Sequence, residues 1–232
     1  MPRLTESIPA ILEALADREP PGSSKPARIA EAGTFAGLVA AFLARAGDAR
    51  AVAAAIGNLR ATGRLDPASL AEADPDEVAD DWREAGARSL TRSIRPLQRL
   101  ARWALDRFDP DDGRVAGSAS TEALRDGLRS LNGVGPATAD AILLAGLGRP
   151  AYPVDRASYR ILVRHGWLDA GADYDEARSV VEGALPDDPG VFALVSSGFE
   201  RLGREACRAG APRCERCPLR PLLPDGGPLG DS

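Results

Sequence analysis

Three stretches carry residues whose types and spacing could do chemistry. The first runs Leu131-Asn132-Gly133-Val134-Gly135-Pro136-Ala137-Thr138-Ala139-Asp140, a Gly-x-Gly turn followed at once by a helix with proline at its first position. Glycines there permit backbone angles that other residues resist, and they let a phosphate approach the amide hydrogens. Those amides stand at a helix N-terminus, where the macrodipole favours an anion. Val134 can tuck inward and pin the turn. The pattern reads as a sequence-independent clamp on a nucleic-acid backbone, or as a structural pair of helices whose glycine is only a C-cap. The second stretch leaves a helix through Gly146-Leu147-Gly148-Arg149-Pro150-Ala151-Tyr152-Pro153-Val154 and arrives at Asp155, placed to cap the next helix. The third is Cys207-x6-Cys214-x2-Cys217. Three cysteines, an odd number, argue against a secreted disulfide scaffold. The lone His165 falls at a helix end and reads as a surface residue.

Helical signals dominate the elements that must position these groups, and strand signals are nearly absent. Residues 7–17 form an amphipathic pattern with Ile8, Ile11, Leu12 and Leu15 on one face. Residues 34–46 are apolar enough for a buried helix, and 48–62 are Ala-rich and end at Gly63. Asp66-Pro67 and Asp74-Pro75 each read as a helix start with Asp as N-cap. The next helix carries Leu97, Leu100, Ala101, Ala104, Leu105 and Phe108 at helical spacing, and Pro96 should open it, because an interior proline costs about 3 kcal/mol. Ser120 caps a helix reaching Leu131, with Leu124, Leu128 and Leu131 inward. Further helices are expected over 156–164, 174–184 and 191–204, with a Pro/Ser-rich loop over 18–28 and a Gly/Pro-rich tail from Pro224 that reads as disordered.

The 232 residues, 44% hydrophobic and 27% charged, suit a globular chain with a sizeable core. No apolar run approaches the ~18–20 residues of a membrane span. Met1-Pro2-Arg3-Leu4-Thr5-Glu6 lacks a charged-then-apolar leader pattern, so a cytoplasmic protein is expected. The net charge of −5 speaks against a wholly basic nucleic-acid binder. Its distribution is uneven. Arg88, Arg92, Arg95, Arg99, Arg102 and Arg107 form one basic run, and Arg208, Arg213, Arg216 and Arg220 another. Acidic residues gather over 72–81, 109–112 and 173–182. That asymmetry permits a local basic face, or simply solvated helix faces.

The hairpin, the Gly-Arg-Pro loop, Val154-Asp155 and Tyr159-Arg160-Ile161-Leu162-Val163-Arg164, taken in this order, resemble the helix–hairpin–helix, Gly/Pro, Asp (HhH-GPD) superfamily of base-excision DNA glycosylases. The likeness is closest to endonuclease III-like members. It is strong over 120–220, weaker over 35–108 and negligible before that. The resemblance implies that Asp155 is the catalytic carboxylate. That role makes chemical sense, because breaking an N-glycosidic bond builds oxocarbenium character that a carboxylate stabilises while it activates a nucleophile. It also implies DNA contacts from Leu131, Gly133, Val134, Gly135, Ala137 and Thr138.

Three departures from the family pattern stand out. Bifunctional members carry a Schiff-base lysine just after the hairpin, where this chain has Ala137, and Lys25 is its only lysine. A monofunctional branch is therefore expected, with a weak likeness to the alkyl-base enzymes. The glutamine that fills the gap left by a flipped base is missing from Leu43-Ala44-Arg45-Ala46-Gly47-Asp48, where Arg45 could substitute. Cys207, Cys214 and Cys217 match the first three ligands of the family's [4Fe–4S] loop, but the fourth position is Leu223. Asp225 or water could complete a cluster, zinc could bind instead, or the loop could be a metal-free relic.

The resulting expectation is an all-α, two-lobed protein. A six-helix barrel over 35–149 contains the hairpin of 120–147, and 1–34 joins 150–222 in a discontinuous second lobe carrying the cysteine loop of 207–223, with 224–232 as tail. DNA would lie across the cleft between lobes with Asp155 at its mouth. The expected function is a monofunctional DNA glycosylase, a monomer acting on duplex DNA with a damaged or mispaired base, nucleoid-associated when on DNA and without a membrane partner. The alternative is a catalytically inactive DNA-binding module that recognises damage or distortion.

Overall fold

The computed structural model describes residues 3–16, 32–108 and 119–230. Lys25 with its loop and the acidic residues 109–112 lie outside the described residues. In chain order the α-helices are α1 (Leu4–Ala16), α2 (Phe35–Leu43), α3 (Ala49–Ala61), α4 (Pro67–Glu72), α5 (Pro75–Glu84), α6 (Ile94–Leu105), α7 (Thr121–Arg129), α8 (Pro136–Ala141), α9 (Arg156–Arg164), α10 (Tyr174–Glu182) and α11 (Pro189–Glu205). No β-strand occurs among the described residues, and none of their helices is long and apolar enough to cross a membrane.

The chain divides into two compact units, Ala27–Arg149 and a discontinuous one of Met1–Pro26 with Pro150–Ser232. In the Ala27–Arg149 unit, local capping chemistry sets the helix starts. Thr34, Asp48, Asp66, Asp74 and Ser120 each accept a backbone N–H with the side chain, satisfying donors that a helix start leaves orphaned. Pro96 is a correction. A 3-10 turn, Arg88–Ser93, leads directly into α6, so Pro96 sits one position after Arg95 in the first turn instead of opening the helix. Its missing N–H falls where first-turn amides have no intrahelical acceptor, so the proline does no harm there. Leu105, expected inward, is 46% exposed, whereas Phe108 is buried edge-on against Phe35. The core gathers Leu38, Phe42, Leu97, Leu100, Leu128 and Leu143, all buried. α8 widens into a π-turn over Ile142–Gly146, which packs on α2.

In the discontinuous unit α1 packs on α11, burying Ile8, Ile11 and Leu15, and α11 in turn packs on α9. Gly203 makes the second contact close, because a Cβ there would collide with Ala157. The helix that follows Asp155 is thereby clamped from outside its own turn. The tail differs from expectation as far as Gly230: the Leu229 N–H donates to the Arg164 carbonyl at 3.0 Å. One long-range bond to a helix end ties down a segment whose composition alone suggests disorder.

Candidate active site and nucleic-acid interface

Residues 130–135 join α7 to α8. Val134 is 5% exposed, and its N–H donates to the Leu131 carbonyl at 3.0 Å, so the valine does pin the turn. Gly133 has φ +96°, and a Cβ there would lie 2.7 Å from Cγ of Pro96. Arg99 Nη1 donates to the Asn132 carbonyl at 2.9 Å. Pro96 and Arg99 of α6 thus support the turn, a role that the sequence reading missed because it depends on packing between distant segments. Gly135 is different. With φ −78° and ψ 169° it is ordinary extended backbone, and a Cβ there would meet nothing within 4 Å. No side chain caps the start of α8; Gly133, Gly135 and Pro136 are exposed, and Leu131, Ala137 and Thr138 are half-buried.

The two glycines should therefore respond differently. Gly133→Ala should destabilise the protein by about 1–2 kcal/mol, the cost of a left-handed conformation for a residue with Cβ. Gly135→Glu should leave thermal unfolding unchanged and, if the turn clamps phosphate as its sequence leads one to expect, weaken binding to unrelated duplexes equally. Melting curves and fluorescence anisotropy on two duplex sequences check both, and a loss confined to one sequence would contradict the clamp.

The basic run around α6 is divided. Arg99, Arg102 and Arg107 donate to the carbonyls of Asn132, Ala71 and Trp103, and Arg107 also lies over the Trp103 ring at 4.6 Å. Arg88, Arg92 and Arg95 remain exposed, with Arg95 next to the proline beneath the hairpin turn. Arg45 is exposed in the turn after α2.

Asp155 is the N-cap of α9. Its Oδ1 accepts the Ser158 N–H at 2.7 Å, and its other oxygen accepts no hydrogen bond among the described residues. The side chain is half-buried. The approach to it is fixed by Tyr152, which is completely buried. The Tyr152 N–H donates to Glu182 Oε1 at 2.9 Å, and its hydroxyl pairs with that of Ser158 at 3.0 Å. Burial pushes the Tyr152 hydroxyl above the usual tyrosine range; the Ser158 bond opposes this and the charge of Asp155 adds to it. Tyr152 therefore stays protonated. The capping carboxylate is held through one oxygen while the other is left available.

The cysteine loop is held by α9. Arg160 Nε donates to the Cys207 carbonyl at 2.8 Å, and the buried Arg164 donates to the carbonyls of Arg208 and Ala209 and to Sγ of Cys207 at 3.4 Å. Cys207, Cys214, Cys217, Leu223, His165 and Arg164 are among the residues lining one small cavity; Asp225 is not. The three cysteines form no disulfide with one another. His165 is a correction: it is 5% exposed, not a surface residue. Nδ1 lies 3.2 Å from the Leu222 carbonyl and the ring stacks on Trp167 at 4.4 Å. Burial lowers its pKa, partly offset by the Leu222 carbonyl. Among the described residues no three His, Cys, Asp or Glu side chains are grouped as around one metal ion. Thiolate and imidazole are donor types that an iron–sulfur cluster accepts, and the three cysteines and His165 share this cavity.

No protein-family model matches the chain. The thymine-DNA glycosylase of Aeropyrum pernix is 31% identical over 193 residues, covering 80% of this chain and 79% of that protein. The chain belongs to the endonuclease III-like HhH-GPD glycosylases. Endonuclease III of Thermotoga maritima is 28% identical over 154 residues, 66% of each chain. A solved structure of a trapped endonuclease III–DNA covalent intermediate matches 96% of each chain with a TM-score of 0.65 at 23% identity. That of a thermostable thymine-DNA glycosylase also reaches 0.65, over 93% of this chain at 20% identity. The fold is accordingly the all-α endonuclease III-like fold. The chain carries the hairpin and Asp155, and has Ala137 and Leu223 where the sequence resemblance leads one to expect a lysine and a cysteine.

Proposed function

We propose that this DNA glycosylase is monofunctional, hydrolysing the N-glycosidic bond of a damaged or mispaired base in duplex DNA with Asp155 as its catalytic carboxylate. The observation that carries the reading is the state of Asp155, anchored by Oδ1 at the cap of α9 with its second oxygen open. As the bond from C1′ to the base nitrogen breaks, the electron pair leaves with the base and positive charge develops on the deoxyribose. The open oxygen stabilises that charge and takes the proton of the attacking water, which forms the new C1′–O bond. Leu131, Gly133, Val134, Gly135, Ala137 and Thr138 would hold the phosphate backbone, and Arg45 would occupy the space left by the extruded base. The protein would act as a monomer on cytoplasmic, nucleoid DNA.

The absence of a hairpin amine supports the monofunctional assignment, since the methyl group of Ala137 cannot form a Schiff base. A panel of lesion-bearing duplexes tests this directly. Strand breaks should appear only after alkali, and borohydride should trap no protein–DNA adduct. An adduct mapped to Lys25 or the N-terminal amine would overturn the monofunctional assignment. Tight lesion binding with no base release from any duplex would favour the binding-only alternative.

A further inference from the structure

The cavity beside α9 contains a donor that the cysteine spacing does not include. His165 lines it together with Cys207, Cys214, Cys217 and Leu223, the residue standing where the family pattern has a fourth cysteine. We infer that His165 supplies the fourth ligand of a four-iron cluster, replacing that cysteine. The ring is close to the vacated position along the chain, because Nδ1 meets the carbonyl of Leu222, the residue immediately before Leu223. A carbonyl only accepts, so Nδ1 carries the proton and Nε2 keeps its lone pair for a metal. Metal-binding histidines characteristically donate their other N–H in this way, which fixes both tautomer and ring orientation. Stacking on Trp167, at an interplanar angle of 15°, holds the ring further.

The surroundings agree with this assignment. Arg160 and Arg164 hold the Cys207 end of the loop through carbonyl and Sγ bonds, so that end of the cavity is shaped by protein contacts alone. The four donor residues line the same cavity, one for each iron of such a cluster. Imidazole is an established iron ligand in iron–sulfur centres, where it replaces thiolate at some irons. Asp225, the other oxygen or nitrogen donor near Leu223 in sequence, does not line the cavity.

The test uses the full chain, reconstituted without oxygen with ferrous iron and sulfide. Iron and acid-labile sulfide per chain are measured, and pulsed EPR of the cluster in a paramagnetic state reads nitrogen coupling. Wild type should hold a full cluster with one strongly coupled histidine nitrogen. His165→Ala should lose that coupling and about one iron in four. Adding Leu223→Cys to His165→Ala should restore the iron without restoring the coupling. A full wild-type cluster without nitrogen coupling would overturn the inference, as would unchanged iron in His165→Ala, or wild-type protein that holds zinc or no iron. If His165→Ala fails to fold, the wild-type spectrum decides alone. None of these readouts involves base release, so this inference and the role of Asp155 stand or fall separately.

Discussion

Asp155→Asn should reduce base release at least ~10²-fold, the scale of a positioned acid–base group, while duplex affinity stays within a few-fold. The substitution suits this site because asparagine caps helices as well as aspartate does. An amide oxygen can still accept the Ser158 N–H that Oδ1 accepts at 2.7 Å, so α9 should keep its start and the Tyr152–Ser158 pair its geometry. What disappears is the negative charge on the open oxygen and its capacity to take a proton. Asp155→Ala separates the two roles, since it should add a stability loss of about 1 kcal/mol from the missing cap. Single-turnover base release, duplex affinity and thermal unfolding of the three proteins give the comparison. Equal base release by wild type and Asp155→Asn would remove Asp155 from the chemistry and leave it a helix cap.

Much of this site is legible from local sequence because its parts are locally determined. Asp66-Pro67, Asp74-Pro75 and Ser120 mark helix starts through hydrogen bonds spanning only a few residues, Gly135-Pro136 marks one through proline at the first helical position, and the structure places α4, α5, α7 and α8 accordingly. Gly133 carries its left-handed turn for the same reason. The departures arise where distant segments meet. The burial of His165 depends on Leu222, many positions later, and on a ring stack that no periodicity reveals. The basic run reads as one face in sequence, yet Arg99 and Arg102 spend their guanidinium groups on the carbonyls of Asn132 and Ala71. The open oxygen of Asp155 is likewise a property of the fold, set by Tyr152, Ser158 and the α9–α11 contact at Gly203.

Asp140→Ala should be the most destabilising substitution in the hairpin and should weaken DNA binding through the fold. Asp140 lies in α8 and Arg125 in α7, the two arms of the hairpin. Arg125 Nε donates to Asp140 Oδ1 at 2.6 Å, and the two side chains are 2% and 1% exposed. Arg125 also pairs with Glu122, but that carboxylate is 66% exposed and its attraction is weakened by solvent. Removing Asp140 takes a buried carboxylate away from a buried guanidinium, a defect of about 3–5 kcal/mol. The pair itself is not the stabilising principle: replacing both members, as in Arg125→Met with Asp140→Leu, should recover most of the loss, because the two buried charges are then removed together. Denaturant unfolding of the wild type, Asp140→Ala and the double variant measures the three cases. Duplex affinity should follow the same order, since the turn proposed to bind phosphate is held between these arms. Wild-type stability in Asp140→Ala would show that solvent or other partners neutralise Arg125, and that the hairpin does not depend on this pair.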